Sequence, residues 1–283
     1  MSLLIHPGFM GHASVAGWPQ VRCTDFSVNV KQEPIFYDHT IGLRDSISTN
    51  IYDVKGDDDS HNPQKIFWRP GVKLAQGIFG FPWTTNNLGV LLNQAIYGDD
   101  FDMSFYYTCG IGRRFKNCKV NSYSLKLTNG DFVSSTVDIM TPHMEVDDVL
   151  NLTPVISTEK LVTWDSVVIT GLPNAIAEVV SFDLTINNGV LPIYTAGQNN
   201  SGDKLEPKEL RVGMQMVSGS VSYYTYNNLV FMENISTSTS VGITIGSYQT
   251  INLKLVFKPM EQSAATGAVI RTVPFVGVDK AIT

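Results

Sequence analysis

Two stretches of the chain alternate apolar and polar residues in the way that is typical of half-buried β-strands. The first contains, in alternation, Phe26, Ser27, Val28, Asn29, Val30 and Lys31. The second contains Phe182, Asp183, Leu184, Thr185, Ile186 and Asn187. Each is followed by Pro-Ile-aromatic, at 34–36 and 192–194. We therefore predict two equivalent strands, each with one polar face and each leading into a hairpin.

A longer similarity extends from these strands. The stretch RPGVKLAQGIFGFPWTTNN at 69–87 returns as RVGMQMVSGSVSYYTYNN at 211–228, with Gly71 and Gly77 matched by Gly213 and Gly219. A polar insertion precedes each copy, at about 38–65 and 197–208, and Leu-Lys-Leu follows each, at 125–127 and 253–255. Because the elements recur in the same order, the sequence predicts an internal duplication.

Local signals add detail to each copy. Leu88, Leu91, Leu92 and Ala95 share one helical face, and Asn87 is a suitable N-cap, which predicts a short helix. NLVFMENI in the second copy is a weaker helix candidate. Asn129-Gly130 predicts a hairpin with a return strand at 132–139. A change of alternation at Ser218-Gly219 suggests a β-bulge.

These patterns predict a mainly β protein with two tandem β-sandwich or barrel halves, each with a short flanking helix. The predicted boundaries are an N-terminal arm at 1–17, a first β domain at 18–145, a connector at 146–160 and a second β domain with a C-terminal tail at 161–283.

The composition of the chain narrows the range of possible functions. Charged residues make up 16% of the chain and the net charge is −6, which argues against a general nucleic-acid binder. No run approaches the ~18 apolar residues of a membrane helix, and the N-terminus lacks the positive region of a signal peptide. We therefore expect assembly in a cytoplasm, with no membrane partner. In that compartment we expect free thiols rather than disulfides for the three cysteines, Cys23, Cys109 and Cys118.

The sequence contains few of the residue patterns that are typical of catalytic sites. The five histidines are scattered, and neither a metal-binding His motif nor a nucleophile elbow is present. The acidic runs at 57–59 and 99–102 lack the alternating ligands and closing Glu of a calcium loop. We predict that the protein is not an enzyme and that it has no catalytic residue, no cofactor and no metal site.

The segment from about 64 to 138 resembles the tail tube (major tail) proteins of long-tailed bacteriophages. The stretches that carry the resemblance are RPGVKLAQGIFGFPWT, LGVLLNQAIYG and KNCKVNSYSLKLTNGDFVSSTVDIM. It implies a tail-tube-like fold in which chains contribute strands to a β-barrel shared around a ring of six domains. With a duplicated chain, three copies would form a pseudo-hexameric ring.

The resemblance also implies a location and a set of partners. Rings would stack into a tube in the virion tail, and DNA would pass through the lumen during ejection without specific binding. The partners would be other copies of the chain and other tail proteins, namely the tape measure, terminator and baseplate. The insertions would supply inter-ring stacking loops, with candidate residues Asp57, Asp58, Asp59, Asn199, Asn200 and Asp203. The candidate residues facing the lumen or solvent are Ser27, Asn29, Lys31, Asp183, Thr185 and Asn187.

Two alternatives stay open at this point. One is a β-sandwich module that binds a receptor or carbohydrate through an aromatic platform formed by Trp18, Trp68 and Trp83. The other is a different tail component, such as a tube terminator or baseplate hub.

Overall fold

The computed structural model describes residues 12–15, 21–38, 66–85, 89–106, 112–147, 160–173, 176, 178–195, 205–225, 238–246, 249–258 and 269–282. Over these ranges the chain is mainly β, with long antiparallel strands and one short helix. The prediction of a mainly β protein is therefore confirmed.

The strands divide into those before and those after the predicted connector. The first half contains β1 (His12–Val15), β2 (Val21–Arg22), β3 (Phe26–Asp38), β4 (Ile66–Pro82), β5 (Phe101–Tyr106), β6 (Gly112–Thr128), β7 (Ser134–Thr141) and β8 (His143–Asp147). The second half contains β9 (Val167–Thr170), β10 (Glu178–Asn187), β11 (Leu191–Ile193), β12 (Glu209–Arg211), β13 (Met216–Thr225), β14 (Thr239–Ile245), β15 (Gln249–Phe257) and β16 (Val269–Ile282). The helix, α1, is Leu92–Tyr97, and a 3₁₀ turn spans Trp164–Ser166.

One extended antiparallel sheet connects the two halves. Its strand order is β3–β4–β7–β6–β10–β13–β16–β15–β14–β9. The sheet passes from the first half to the second through the pairing of β6 with β10, at 122–128 and 181–187. The N-terminal part of β6 turns away to pair with β5 and β8, and β5 continues to β1 and β2. A separate hairpin joins β11 to β12.

The same strand order occurs in both halves. In the first half it is β1–β5–β6–β7–β4–β3, with β8 continuing the line of β7 along β6. In the second half it is β9–β14–β15–β16–β13–β10. Corresponding strands also follow one another in the same order along the chain. The connections between strands are therefore alike in the two halves.

The pairing register recurs as well. Val28 lies opposite Gly77 in the first half, and Leu184 lies opposite Gly219 in the second. The shared Leu-Lys-Leu does not follow this register. Residues 125–127 lie in the part of β6 that pairs with β10, beyond the point that corresponds to the end of β15. The residue match at Leu-Lys-Leu is therefore wrong, although β6 and β15 correspond as strands.

Aromatic side chains bring the layers of the first half together. The ring centroid of Phe105 in β5 lies 4.5 Å from that of Phe26 in β3 and 5.2 Å from that of Phe79 in β4. Phe79 also contacts Phe115 of β6 edge to face, at 6.1 Å. The strands β5 and β6 therefore pack over β3 and β4, and the buried residues of both halves form one continuous core.

Two local predictions need correction. The helix begins at Leu92, and its N-cap is Leu91 in a left-handed conformation without a side-chain cap, so Asn87 does not cap it. Leu91, Leu92 and Ala95 are nevertheless buried, because the apolar face turns toward the core. No register shift occurs at Ser218-Gly219. Met216 is 53% exposed, so the apparent change of alternation came from an exposed methionine on the polar face.

The predicted hairpin is confirmed, but its return strand is Ser134–Thr141 and not 132–139. Asn129 and Gly130 form the turn between β6 and β7, and Gly130 has a φ of 80°, which favours glycine. The weaker helix candidate, NLVFMENI at 228–235, lies outside the described residues.

Candidate functional site

The polar residues predicted from the two alternating strands lie on one face of the extended sheet. Cross-strand partners run in a row from β3 to β10: Ser27, Ile78, Asp138, Ser122 and Asn187. Partners in a sheet share a face, and residues two apart along a strand share it too. Asn29 and Lys31 therefore lie on the same face as Asp183 and Thr185. We refer to this surface as the polar face; the assignment of its residues to a lumen stays a prediction.

The polar face is continuous across the contact between β6 and β10, because partners there are chemically matched. Ser124 Oγ lies 3.2 Å from Thr185 Oγ1, and Lys126 lies opposite Asp183. Partial burial raises the pKa of Asp183, while the positive charge of Lys126 acts in the opposite direction. The carboxylate thus has a cation as its neighbour in the sheet.

A second carboxylate on this face is held by amides. Asp138 accepts hydrogen bonds from Gln76 Nε2 at 2.8 Å and from Asn121 Nδ2 at 2.7 Å. Further along the sheet, the hydroxyls of Ser222 and Thr272 lie 2.8 Å apart. These contacts make a surface rich in hydroxyl and amide groups, on which the two acidic side chains have identified partners.

The reverse side of the same contact is apolar and fully covered. Three cross-strand pairs, each residue at most 1% exposed, are Leu127 with Phe182, Leu125 with Leu184, and Tyr123 with Ile186. Along β6, Ser124 and Lys126 alternate with the apolar residues Tyr123, Leu125 and Leu127. Their pairing with β10 had no sequence signal, because backbone pairing does not depend on side-chain identity.

The recurring glycines occupy equivalent register positions, and each lies beneath an aromatic ring, which comes from β4 itself in the first half and from β16 in the second. A Cβ at Gly77 would lie 2.8 Å from Phe79 Cζ, and a Cβ at Gly219 would lie 2.9 Å from Phe275 Cε2. At Gly219 it would also collide with the carbonyl oxygen of Asp183. Each glycine therefore leaves room for a ring to lie against the sheet, which explains why both copies of the repeated stretch contain it.

The described part of the second insertion contacts the first half. Lys73 donates its backbone N–H to Leu205 O at 2.7 Å, and the Tyr194 hydroxyl donates to Lys73 O at 3.1 Å. His143 Nδ1 lies 2.9 Å from Glu206 Oε2, and its Nε2 lies 3.3 Å from Glu145 Oε1. A hydrogen bond from Lys116 holds the pKa of Glu145 below its usual range. Sequence reasoning missed this cluster because its members are far apart in the chain.

The six candidate stacking-loop residues, Asp57, Asp58, Asp59, Asn199, Asn200 and Asp203, lie outside the described residues. Within those residues, no group of three or more metal-ligating side chains is present. Cys23 and Cys118 are free and buried, and burial raises the pKa of both thiols. Among the described helices, none has the length and apolar character needed to span a membrane.

An extended antiparallel sheet with one polar face and a buried apolar core defines a mainly β protein. A model of the phage tail tube protein family matches residues 62–282, which is most of the 283-residue chain. The chain therefore belongs to the phage tail tube protein family, a family of structural proteins of the virion tail. A comparison with curated proteins found no match.

Proposed function

We propose that this chain is the repeating subunit of a bacteriophage tail tube and that each chain supplies two of six positions in a ring. Three chains would then close a pseudo-hexameric ring, rings would stack into a tube, and DNA would pass through the lumen during ejection. The carrying observation is that one strand order and one pairing register occur in both halves.

The contact between β6 and β10 supports this arrangement. It joins two equivalent units side by side through an antiparallel strand pair, with apolar residues covered on one side and polar partners matched on the other. A ring built from such units needs the same kind of contact at every boundary. Closing a sheet in this way also removes the exposed edges that promote aggregation.

The chemistry of the polar face supports its assignment to the lumen. Binding to DNA phosphates depends on cations that displace counterions. Lys126 on this face lies opposite Asp183, and the surrounding groups are largely hydroxyls and amides. A lining of this kind lets DNA slide without holding it. Ser27, Asn29, Lys31, Asp183, Thr185 and Asn187 are the proposed lumen residues.

The remaining features follow from the same proposal. The insertions carrying Asp57, Asp58, Asp59, Asn199, Asn200 and Asp203 would contact the next ring. The tape measure, terminator and baseplate proteins would be the other partners, and assembly would take place in the host cytoplasm. The receptor-binding alternative loses support because Trp83 is 1% exposed and cannot present its ring to a ligand.

The experiment that tests the proposal is negative-stain electron microscopy of the purified chain over a range of concentrations, with light scattering for mass. We expect rings or hollow tubes whose ring mass corresponds to three chains of 31.2 kDa each. A ring mass of six chains would reject the two-position subunit. Small particles at every concentration, together with binding on a glycan array, would reject the tube and favour a binding module.

A further inference from the structure

The described end of the second insertion, residues 205–208, lies against the first half of the chain. We refer to these four residues as the insertion base. The backbone N–H of Lys73 in β4 donates to Leu205 O at 2.7 Å. Beside this bond, Nδ1 of His143 in β8 lies 2.9 Å from Oε2 of Glu206. One backbone bond and one side-chain contact therefore hold the insertion base to two strands of the first half.

The imidazole ring of His143 has a carboxylate at each of its nitrogens. Nδ1 faces Glu206 of the insertion base, and Nε2 lies 3.3 Å from Glu145 Oε1. A neutral imidazole has a single N–H, so its other nitrogen would direct a lone pair at a carboxylate oxygen, whereas the imidazolium ion donates at both nitrogens. The geometry thus fits the protonated ring, which joins the insertion base to β8 by a charge-assisted hydrogen bond.

The charged residues around His143 come from four elements. They are Glu145 of β8, Lys116 and Arg114 of β6, Lys73 of β4, and Glu206 and Lys208 of the insertion base. Lys116 Nζ lies 2.6 Å from Glu145 Oε1, and this hydrogen bond is the largest cause of the lowered pKa of Glu145, with His143 adding to it. Lysine, arginine and glutamate side chains ordinarily keep their charges in the pH range where an imidazole titrates. The group whose charge changes near neutral pH is therefore the imidazole.

We propose that His143 is a pH-sensitive latch, whose imidazolium form holds the insertion base against β8 and whose loss of a proton loosens that contact. The proton carries both the positive charge and one of the two N–H donors. Hydrogen bonds with an ionised donor are roughly twice as strong as neutral ones, so the contact weakens when the proton leaves. The latch operates within a single chain. Its consequence for assembly rests on the proposed function, in which the second insertion contacts the next ring: tubes should form less readily at the higher pH.

Hydrogen exchange of the dilute, unassembled chain tests the latch at the amide of Lys73. This N–H is bonded to the insertion base, so it exchanges when the base moves away. Protection factors, which remove the intrinsic effect of pH on exchange, are compared at about pH 5.5 and about pH 8.5, on either side of the range in which an imidazole loses its proton. We expect the protection of Lys73 to fall about tenfold at the higher pH. Peptides covering 251–255 of β15 are the internal control and should keep their protection.

Two variants at position 143 make the measurement specific to the imidazole. His143→Gln is uncharged at both pH values and should give low protection of Lys73 at both. His143→Arg is charged at both, with several N–H donors, and should give high protection at both. If His143 had only a packing role, the fall in protection with pH would persist in both variants. Circular dichroism checks that each variant folds.

The latch and the tube function fail in different ways. Equal protection of Lys73 at the two pH values in the wild type, or the same fall in His143→Gln, would overturn the latch and leave the tube function intact. A chain that shows the expected exchange but forms no tube at any concentration would overturn the proposed function and keep the latch. If the variants at 143 do not fold, Glu206→Gln replaces them, because it removes the charge on the other side of the contact. A fall in protection as large as in the wild type would then overturn the latch.

Discussion

The two halves arrange their strands alike but fill their cores differently. The first half packs aromatic rings around Phe79, with Phe81, Phe105 and Phe115 among its neighbours. The second half has a smaller aromatic group, in which Phe275 contacts Phe182 and Phe257. Beside it lies a run of branched aliphatic side chains that are all at most 2% exposed: Val241, Ile243, Ile245, Ile251, Leu253 and Leu255. The shared strand order therefore depends on period-2 alternation and on the connections between strands, and not on one particular set of core residues.

The halves also differ at their boundaries. The second half has β6 against its strand β10, whereas β3 has one described neighbour. The first difference concerns which side chains fill the core, and the second concerns how far a strand is covered. Substitutions at equivalent positions of the two halves can measure these two differences separately.

The largest expected effect is in the aromatic core. Phe79→Ala should lower the free energy of unfolding by about 3–5 kcal/mol, because a fully buried ring is replaced by a cavity. Its counterpart Val221→Ala, which removes only two methyl groups, should lower it by about 2 kcal/mol. Urea unfolding of the dilute, unassembled protein measures both. Equal losses of unfolding free energy would mean that the two cores contribute equally to stability although their side chains differ.

The second prediction compares β10, which has a strand on each side, with β3, which has one described neighbour. Leu184→Ala in β10 should lower the free energy of unfolding of unassembled protein by about 3 kcal/mol. Val28→Ala in β3 should lower it by about 1 kcal/mol, because Val28 is only half-buried. Urea unfolding is again the measurement. A loss at Val28 as large as that at Leu184 would show that β3 is already fully covered in the single chain.

Replacing the recurring glycines, Gly77 and Gly219, by alanine should give a smaller difference in stability between the halves. Gly219→Ala should destabilise by about 2–3 kcal/mol, because the new methyl group meets the fixed carbonyl oxygen of Asp183 as well as Phe275. Gly77→Ala should cost about 1 kcal/mol, because the close atoms belong to side chains that are able to shift. Thermal unfolding followed by circular dichroism ranks the two variants. The reverse order would contradict the proposed role of the backbone contact.

The smallest effect depends on pH. Because burial raises the pKa of Asp183, the folded chain keeps this proton at pH values where the unfolded chain has lost it. The free energy of unfolding therefore falls as pH rises through that interval. Asp183→Asn should raise the free energy of unfolding at pH 7 by less than about 1 kcal/mol, because Lys126 offsets part of the cost of burying the carboxylate. The gain should vanish at pH values low enough to protonate the carboxyl in both states.

The matched control for this measurement is Ser27→Asp, which places a carboxylate at the equivalent but exposed position of β3. Its stability should show no comparable dependence on pH. A stabilisation by Asp183→Asn that persists unchanged at low pH would exclude the carboxyl as its source.

Much of the local structure followed from short-range signals. Asn129-Gly130 placed a turn correctly, since the turn needs a positive φ at its third position, where Gly130 lies. The apolar spacing of Leu91, Leu92 and Ala95 located the buried face of α1, but its start was misplaced because Leu91 occupies the cap position in a left-handed conformation. The cluster of His143 with Glu145 and Glu206 was missed, because tertiary folding alone brings residues so distant in the chain together.

The sequence by itself determined where strands form and which side of each strand is polar, because alternation with a period of two assigns every residue to a face. It also placed glycines at equivalent points of the two halves. Only the tertiary structure decided which strands become neighbours. β3 and β10 have the same alternation, yet β6 lies beside one and not the other. The physical reason is that backbone hydrogen bonds between strands are made by groups common to all residues, so a neighbour is selected by how the whole chain packs.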